Sequence, residues 1–184
     1  SSSAARSSRS TNACTSGSSS TARVTCRVEL SDLGLVFLPG ATSISAQATA
    51  PVDVVICTGD LQTPRTPADV RFMQIPPQHR TKPQDFFRYA SGERMAPYLT
   101  LCVGGNHEAM NVLLELYNGG WLARNFYYLG NVGSVCFGGL VIAGASGIFK
   151  PYDVNKPCIH PALETARVAL YHTRRMEIER LKRD

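Results

Sequence analysis

The chain has 184 residues, enough for one domain with a buried core, and its 43% apolar and 18% charged residues include no apolar run of bilayer-crossing length, so a soluble globular domain is expected. Nineteen Lys and Arg against fourteen Asp and Glu give a net charge of +5 and a pI near 9.0, a balance that favours a polyanionic partner. The six cysteines, at 14, 26, 57, 102, 136 and 158, form no CxxC pair, which argues against a zinc ribbon. Cys57, Cys102 and Cys136 sit in apolar runs and are expected as reduced, buried thiols of an intracellular protein.

Residues 1–21 are dominated by Ser, Thr, Ala and Arg, and no acidic residue precedes Glu29. Such a segment cannot bury enough apolar surface to offset its ordering entropy, so disorder is expected; the composition also suits a transit peptide. Between Ala22 and Ala50 the pattern is mixed, with weak alternation over Val24–Leu30, a strand candidate at Leu33–Leu38 and a turn at Pro39-Gly40. From Val52 the signal sharpens. Val52–Cys57 is a β-branched apolar run that opens into Thr58-Gly59-Asp60, as a buried strand ending in a loop does. A short helix is predicted over Pro67–Ile75, stopped by Pro76-Pro77, and then a long loop with a helical turn from Gln78 to Pro97, with His79 exposed. Tyr98–Val103 is a second buried-strand run, opening into Gly104-Gly105-Asn106-His107-Glu108. A helix is predicted from about Ala109 to Tyr117, capped by Asn118-Gly119-Gly120, with Trp121 tucked into the core behind it. Strands are predicted at Tyr127–Leu129, Ser134–Phe137 and Leu140–Ala145, the last two joined by a Gly138-Gly139 hairpin. Pro161–Lys182 carries a ragged helical stripe. Alternating strands and helices predict a layered α/β domain.

Two strand ends carry the chemistry, and ligand sites in α/β sheets gather there. Asp60 is a carboxylate held directly past a strand, suited to a divalent metal; capping the next turn is the other reading. Asn106 offers a neutral oxygen that leaves more of an ion's charge to polarise a phosphoryl group. His107, beside it at a helix start, is placed to stabilise a phosphorane or protonate a leaving hydroxyl, unless it only caps the helix, and Glu108 is placed to orient it.

The order GD, then GNHE, resembles the middle of the metallophosphoesterase signature. The runs Phe87–Glu93, Gly104–Ala109, Gly119-Gly120-Trp121, Tyr127–Gly130, Ser146–Lys150 and Tyr171–Arg174 resemble the RNA lariat debranching enzymes within that superfamily, from about Val52 to Lys182. The resemblance implies a calcineurin-like α/β sandwich and a nuclear, monomeric enzyme. Its implied reaction is the metal-dependent hydrolysis of the 2′-5′ phosphodiester bond at the branch point of lariat RNA, using Fe²⁺, Zn²⁺ or Mn²⁺. By position, Asp60 and Asn106 take the metal-ligand roles and His107 the catalytic one. The lariat recognition loop spans about Ser146 to Arg174, and within it Ser146, Lys150, Tyr152, Lys156, His172 and Arg174 are expected to contact RNA, with Phe149 and Arg167 as further candidates.

The chain departs from that pattern in two places. Ala22–Ala50 contains no histidine where the family places a Cys-x-His motif, and the later histidine motifs of the family are not met before Asp184; Cys158-Ile159-His160 has the Cys-x-His spacing at the wrong place in the order. The chain is therefore expected to be incomplete at both ends, with a disordered segment 1–21, a divergent segment 22–50 and a partial metallophosphoesterase domain 51–184. Weak metal binding and little activity are expected of it alone. Two other readings stay open: a protein Ser/Thr phosphatase, although Gly59–Arg65 lacks the second Asp and the Arg-Gly pair of that group, and a non-catalytic branched-RNA-binding module.

Overall fold

In the computed structural model, residues 52–76, 78, 85–157 and 167–183 are described. The expectations on residues 1–50, on His79, on Cys158-Ile159-His160 and on the side chain of Arg167 lie outside the described residues.

The β-branched run forms strand β1, Val54–Cys57, and the second apolar run forms β2, Leu99–Cys102. They pair in parallel, Val54 opposite Leu99 and Cys57 opposite Cys102. Parallel strands need a long crossover. The connection here contains a 3-10 helix, Pro67–Phe72, and a short helix α1, Phe86–Ala90. The first of these is tighter and shorter than the helix predicted over Pro67–Ile75; the Asp69 carboxylate ties up the Arg65 and Thr66 N–H groups at 3.0 and 2.9 Å and so fixes where it starts.

Helix α2, Met110–Glu115, follows β2 and is stopped, as predicted, before Gly119, whose φ of +93° only glycine adopts readily. The next residues were not foreseen as a strand. Gly120–Ala123 forms β3, which pairs antiparallel with β4, Phe126–Tyr128, through a turn with Asn125 at φ +64°. The sheet order is β1-β2-β4-β3, with β4 parallel to β2. Trp121 is therefore not a core residue: it is 61% exposed on the edge strand, its ring edge-on to Tyr127 at 5.1 Å.

A second, two-stranded sheet is the predicted hairpin, β5 Val132–Phe137 with β6 Leu140–Ala145, turned by Gly138 and Gly139 at φ +57° and +80°. Cys136 on β5 is exposed and disulfide-bonded, which corrects the expectation of a buried thiol there; Cys57 and Cys102 are free, half-buried and buried. The helix predicted over Pro161–Lys182 is broken among the described residues into α3, Arg167–Leu170, and α4, Arg175–Leu181. The break has a long-range cause: Ile148 takes the Tyr171 carbonyl at 2.9 Å and gives its own to Thr173 at 3.0 Å, so Tyr171–Thr173 leave the helix to bridge an upstream segment. No helix among the described residues is long and apolar enough to cross a membrane.

The core lies between the four-stranded sheet and α1 and α2. Phe126, 1% exposed, sits edge-on to both Phe86 and Tyr89 at 5.6 and 5.3 Å. Phe126→Ala empties that junction and is expected to lower stability by about 3–5 kcal/mol, read as a shift of the urea unfolding midpoint.

Candidate active site

Because β1 and β2 are parallel neighbours, their carboxyl ends lie side by side, and the loops that leave them, 58–63 and 103–109, meet. The first loop turns sharply, with Gly59 at φ +127° and Asp60 and Gln62 in the left-handed region at +57° and +54°. Left-handed non-glycine residues cost about 1 kcal/mol each, so something must hold them.

Glu108 holds them. It is 1% exposed, and its carboxylate accepts the N–H groups of Leu61 at 2.8 Å, Thr63 at 3.2 Å and its own loop's Gly105 at 3.4 Å. Burial pushes its carboxyl up to about 7, with the nearby charge of Asp60 adding to the rise and the N–H groups of Gly105, Leu61 and Thr63 opposing it. Glu108 is thus a tie between the loops and does not orient the His107 ring, as the sequence suggested.

The tie brings Asp60 to its neighbours. Asp60 Oδ1 accepts the His107 N–H at 3.0 Å, so the carboxylate lies against the Asn106–His107 peptide. Gly105 is glycine for a steric reason: a Cβ there would run into the Asp60 carboxylate and stand 2.7 Å from the Asp60 nitrogen. The His107 ring is set by a main-chain group that the sequence could not reveal, its Nδ1 lying 2.6 Å from the Gln74 carbonyl. A carbonyl only accepts, so Nδ1 carries the hydrogen and Nε2 is the atom left for a substrate. Asn106, whose peptide link to His107 meets the Asp60 carboxylate, is half-buried.

The three residues expected at the centre, Asp60, Asn106 and His107, are therefore brought together. They fall short of a full metal site: among the described residues no group of three or more His, Cys, Asp or Glu side chains could hold an ion. Asp60 and Asn106 supply two oxygen donors, fewer than the four to six that divalent ions take.

Of the residues expected to contact RNA, three are internal. Ser146 is 8% exposed, donating to the Gly130 carbonyl at 2.7 Å and accepting the Gly104 N–H at 2.9 Å, which fastens the later loop to the GNHE loop. His172, 4% exposed, has its Nδ1 2.6 Å from Asp153 Oδ2, and buried Arg174 donates to the carbonyls of Asp153 and Ala169. These side chains brace the loop. Lys150 is half-buried, and Tyr152 and Lys156 are exposed, as is Phe149 at 62%. Lys156 Nζ lies 2.6 Å from Asp153 Oδ1 and 5.8 Å from the Tyr152 ring centroid.

The fold and site define a mixed α/β domain whose chemistry-bearing side chains sit at the carboxyl ends of adjacent parallel strands. No family model matches the chain. It is 47% identical over 130 residues to the lariat debranching enzyme of Entamoeba histolytica, 48% over 134 residues to that of Homo sapiens and 49% over 133 residues to that of Gallus gallus. Over these residues the chain is similar to the lariat debranching enzymes. The matches cover 71–72% of this chain and 36%, 24% and 24% of those relatives' own lengths.

Glu108 gives the metal-free chain a distinctive pH profile. Its folded pKa is raised above its ordinary value of 4.5, so the folded state keeps a proton that the unfolded chain has released. The stability that this group contributes is then full below about 4.5, declines as pH rises and is lost above about 7, by an amount on the order of 3 kcal/mol. Urea midpoints from pH 4.5 to 8 for the chain and for Glu108→Gln test this; the difference between the two curves should carry the decline, and parallel curves would refute it.

Proposed function

We propose that this chain is the catalytic-loop portion of an RNA lariat debranching enzyme with a metallophosphoesterase sandwich fold. The reaction is hydrolysis of the 2′-5′ phosphodiester bond at the branch point of excised introns, by a monomer acting in the nucleus. The observation that carries the reading is the contact of Asp60 Oδ1 with the His107 N–H across two adjacent strand ends, in a chain 47–49% identical to lariat debranching enzymes.

In this reading water attacks the phosphorus as its bond to the ribose 2′ oxygen breaks, and His107 as the imidazolium, its Nδ1–H held by the Gln74 carbonyl, gives its Nε2–H proton to that departing oxygen. The Asn106–His107 segment is kept in place by Asp60, and both loops by Glu108. Family resemblance brings in a divalent metal, Fe²⁺, Zn²⁺ or Mn²⁺, to which the described residues contribute Asp60 and Asn106 and not a complete set; no step is derived through it. Lys150, Tyr152 and Lys156, with Phe149, form the face offered to branched RNA: cations for phosphates and rings for unstacked bases. Ser146, His172 and Arg174 support that face from beneath.

The purified chain with saturating Mn²⁺ should cleave the 2′-5′ bond of a branched oligonucleotide slowly, in keeping with its incomplete set of metal ligands, while leaving linear 3′-5′ RNA and a phosphopeptide intact. Chelator should abolish the cleavage, and Asp60→Ala and His107→Ala should each slow it about a hundredfold or more. Cleavage of linear RNA, or preference for the phosphopeptide, refutes the assignment. Absence of cleavage with chelator-insensitive retention of branched RNA makes the chain a binding module instead.

A further inference from the structure

Helix α4 has one face fully committed. Glu177, 3% exposed, accepts from Asn131 Nδ2 at 2.7 Å, Tyr117 Oη at 3.2 Å and the Arg174 N–H at 2.9 Å, which fastens the helix to the end of α2 and the start of β5. The outer face is open. Arg175, Met176 and Glu179 are exposed along it, with Lys182 and Arg183 just past its end. Between this face and the turn Val154–Pro157 runs a groove of about 720 Å³.

Its lining is strongly biased in charge. Lys156, Arg175, Lys182 and Arg183 line it against one carboxylate, Glu179; Lys182 pairs with Glu179 at 2.9 Å and Lys156 with Asp153 at 2.6 Å, so the positive excess of the groove rests on Arg175 and Arg183. Met176, 60% exposed, gives it an apolar patch. At one rim Lys156 lies 5.8 Å from the centroid of the Tyr152 ring, and Tyr152 and Phe149, a few residues upstream, are 65% and 62% exposed. Spaced cations with exposed rings at one end match a single nucleic-acid strand, whose phosphates take the charges and whose bases take the rings. An acidic protein surface would match the charges and leave the rings unused.

We propose that this groove binds the single-stranded RNA that runs away from the branch, with Arg175, Lys182 and Arg183 as phosphate contacts beyond the recognition loop. The proposal rests on the reading of the chain as a branched-RNA enzyme. It makes the outer face of α4 a second anchoring surface, one that holds the substrate's tail while the loops at Asp60 and His107 hold its junction.

The test compares two branched oligonucleotides by fluorescence anisotropy, one trimmed to the branch and its immediate neighbours, the other carrying a single-stranded tail of about ten nucleotides. The wild-type chain should bind the tailed molecule more tightly. The triple variant Arg175→Glu, Lys182→Glu, Arg183→Glu should weaken tailed binding about tenfold or more and flatten the slope of log K against log salt by about 2, three phosphates at about 0.7 each. Binding and cleavage of the trimmed molecule should stay unchanged. Arg124→Glu, an exposed charge reversal in the β3–β4 turn outside the groove, controls for the position of a reversal, repetition at higher salt controls for net charge, and melting temperatures control for folding. Equal wild-type affinity for tailed and trimmed molecules, or a triple variant that binds the tailed one as wild type does, overturns the groove assignment. If branched and linear RNA bind alike yet the tail effect and its loss in the triple variant persist, the groove stands and the debranching reading fails. Absence of any RNA binding overturns both.

Discussion

One buried carboxylate holds the two functional loops in register. Glu108 collects main-chain N–H groups from both loops, and those groups would otherwise be left without acceptors in the interior. Hydrogen bonds of this kind are worth about 0.5–1.5 kcal/mol each, together enough to offset the roughly 1 kcal/mol cost of each left-handed residue at Asp60 and Gln62. Without that tie nothing on the first loop obliges it to coil so tightly. With it, the Asp60 carboxylate is delivered to the Asn106–His107 peptide, and a rigid sheet edge becomes a site.

The sequence showed most of this frame and little of its fastening. Strands β1 and β2 were legible because apolar runs opening into glycine have one reading in an α/β chain, and β6 was bounded correctly because a Gly-Gly turn fixes the register of a hairpin. The edge strand Gly120–Ala123 was hidden. Its glycines read as a helix stop, four residues show no period, and its tryptophan belongs to an exposed edge where Tyr127 opposite is its ring partner. The place where the C-terminal helix would break was equally silent, since a bridge to Ile148 depends on a residue far away in the chain. Gln74 acts through its main-chain carbonyl, and the Glu108 carboxylate takes main-chain N–H groups, atoms that any residue carries and no pattern reports.

A second lesson lies in the residues read as RNA contacts. Arg, His and Ser suit phosphates because they donate hydrogen bonds, and for the same reason they suit buried carbonyls and carboxylates. Arg174 spends its guanidinium on two carbonyls, His172 pairs with Asp153, and Ser146 spans Gly104 and Gly130. Residue type does not separate these roles; burial does. The side chains that remain outside, Phe149, Tyr152 and Lys156, are those whose exposure would otherwise be wasteful.

This division bears on how a 2′-5′ bond could be told from a 3′-5′ one. The phosphorus is the same in both linkages, with two bridging and two non-bridging oxygens, so the groups that act on it cannot discriminate. What differs is the path of the three strands around the branch ribose, and only a surface that meets those strands can read it. Under the proposed debranching reading that surface is the loop whose own shape is fixed from below by Asp153, His172 and Arg174 and joined to the GNHE loop by Ser146. Selectivity then resides in the bracing of the loop as much as in its exposed side chains, because a loop free to adapt would accept a linear strand as readily as a branched one.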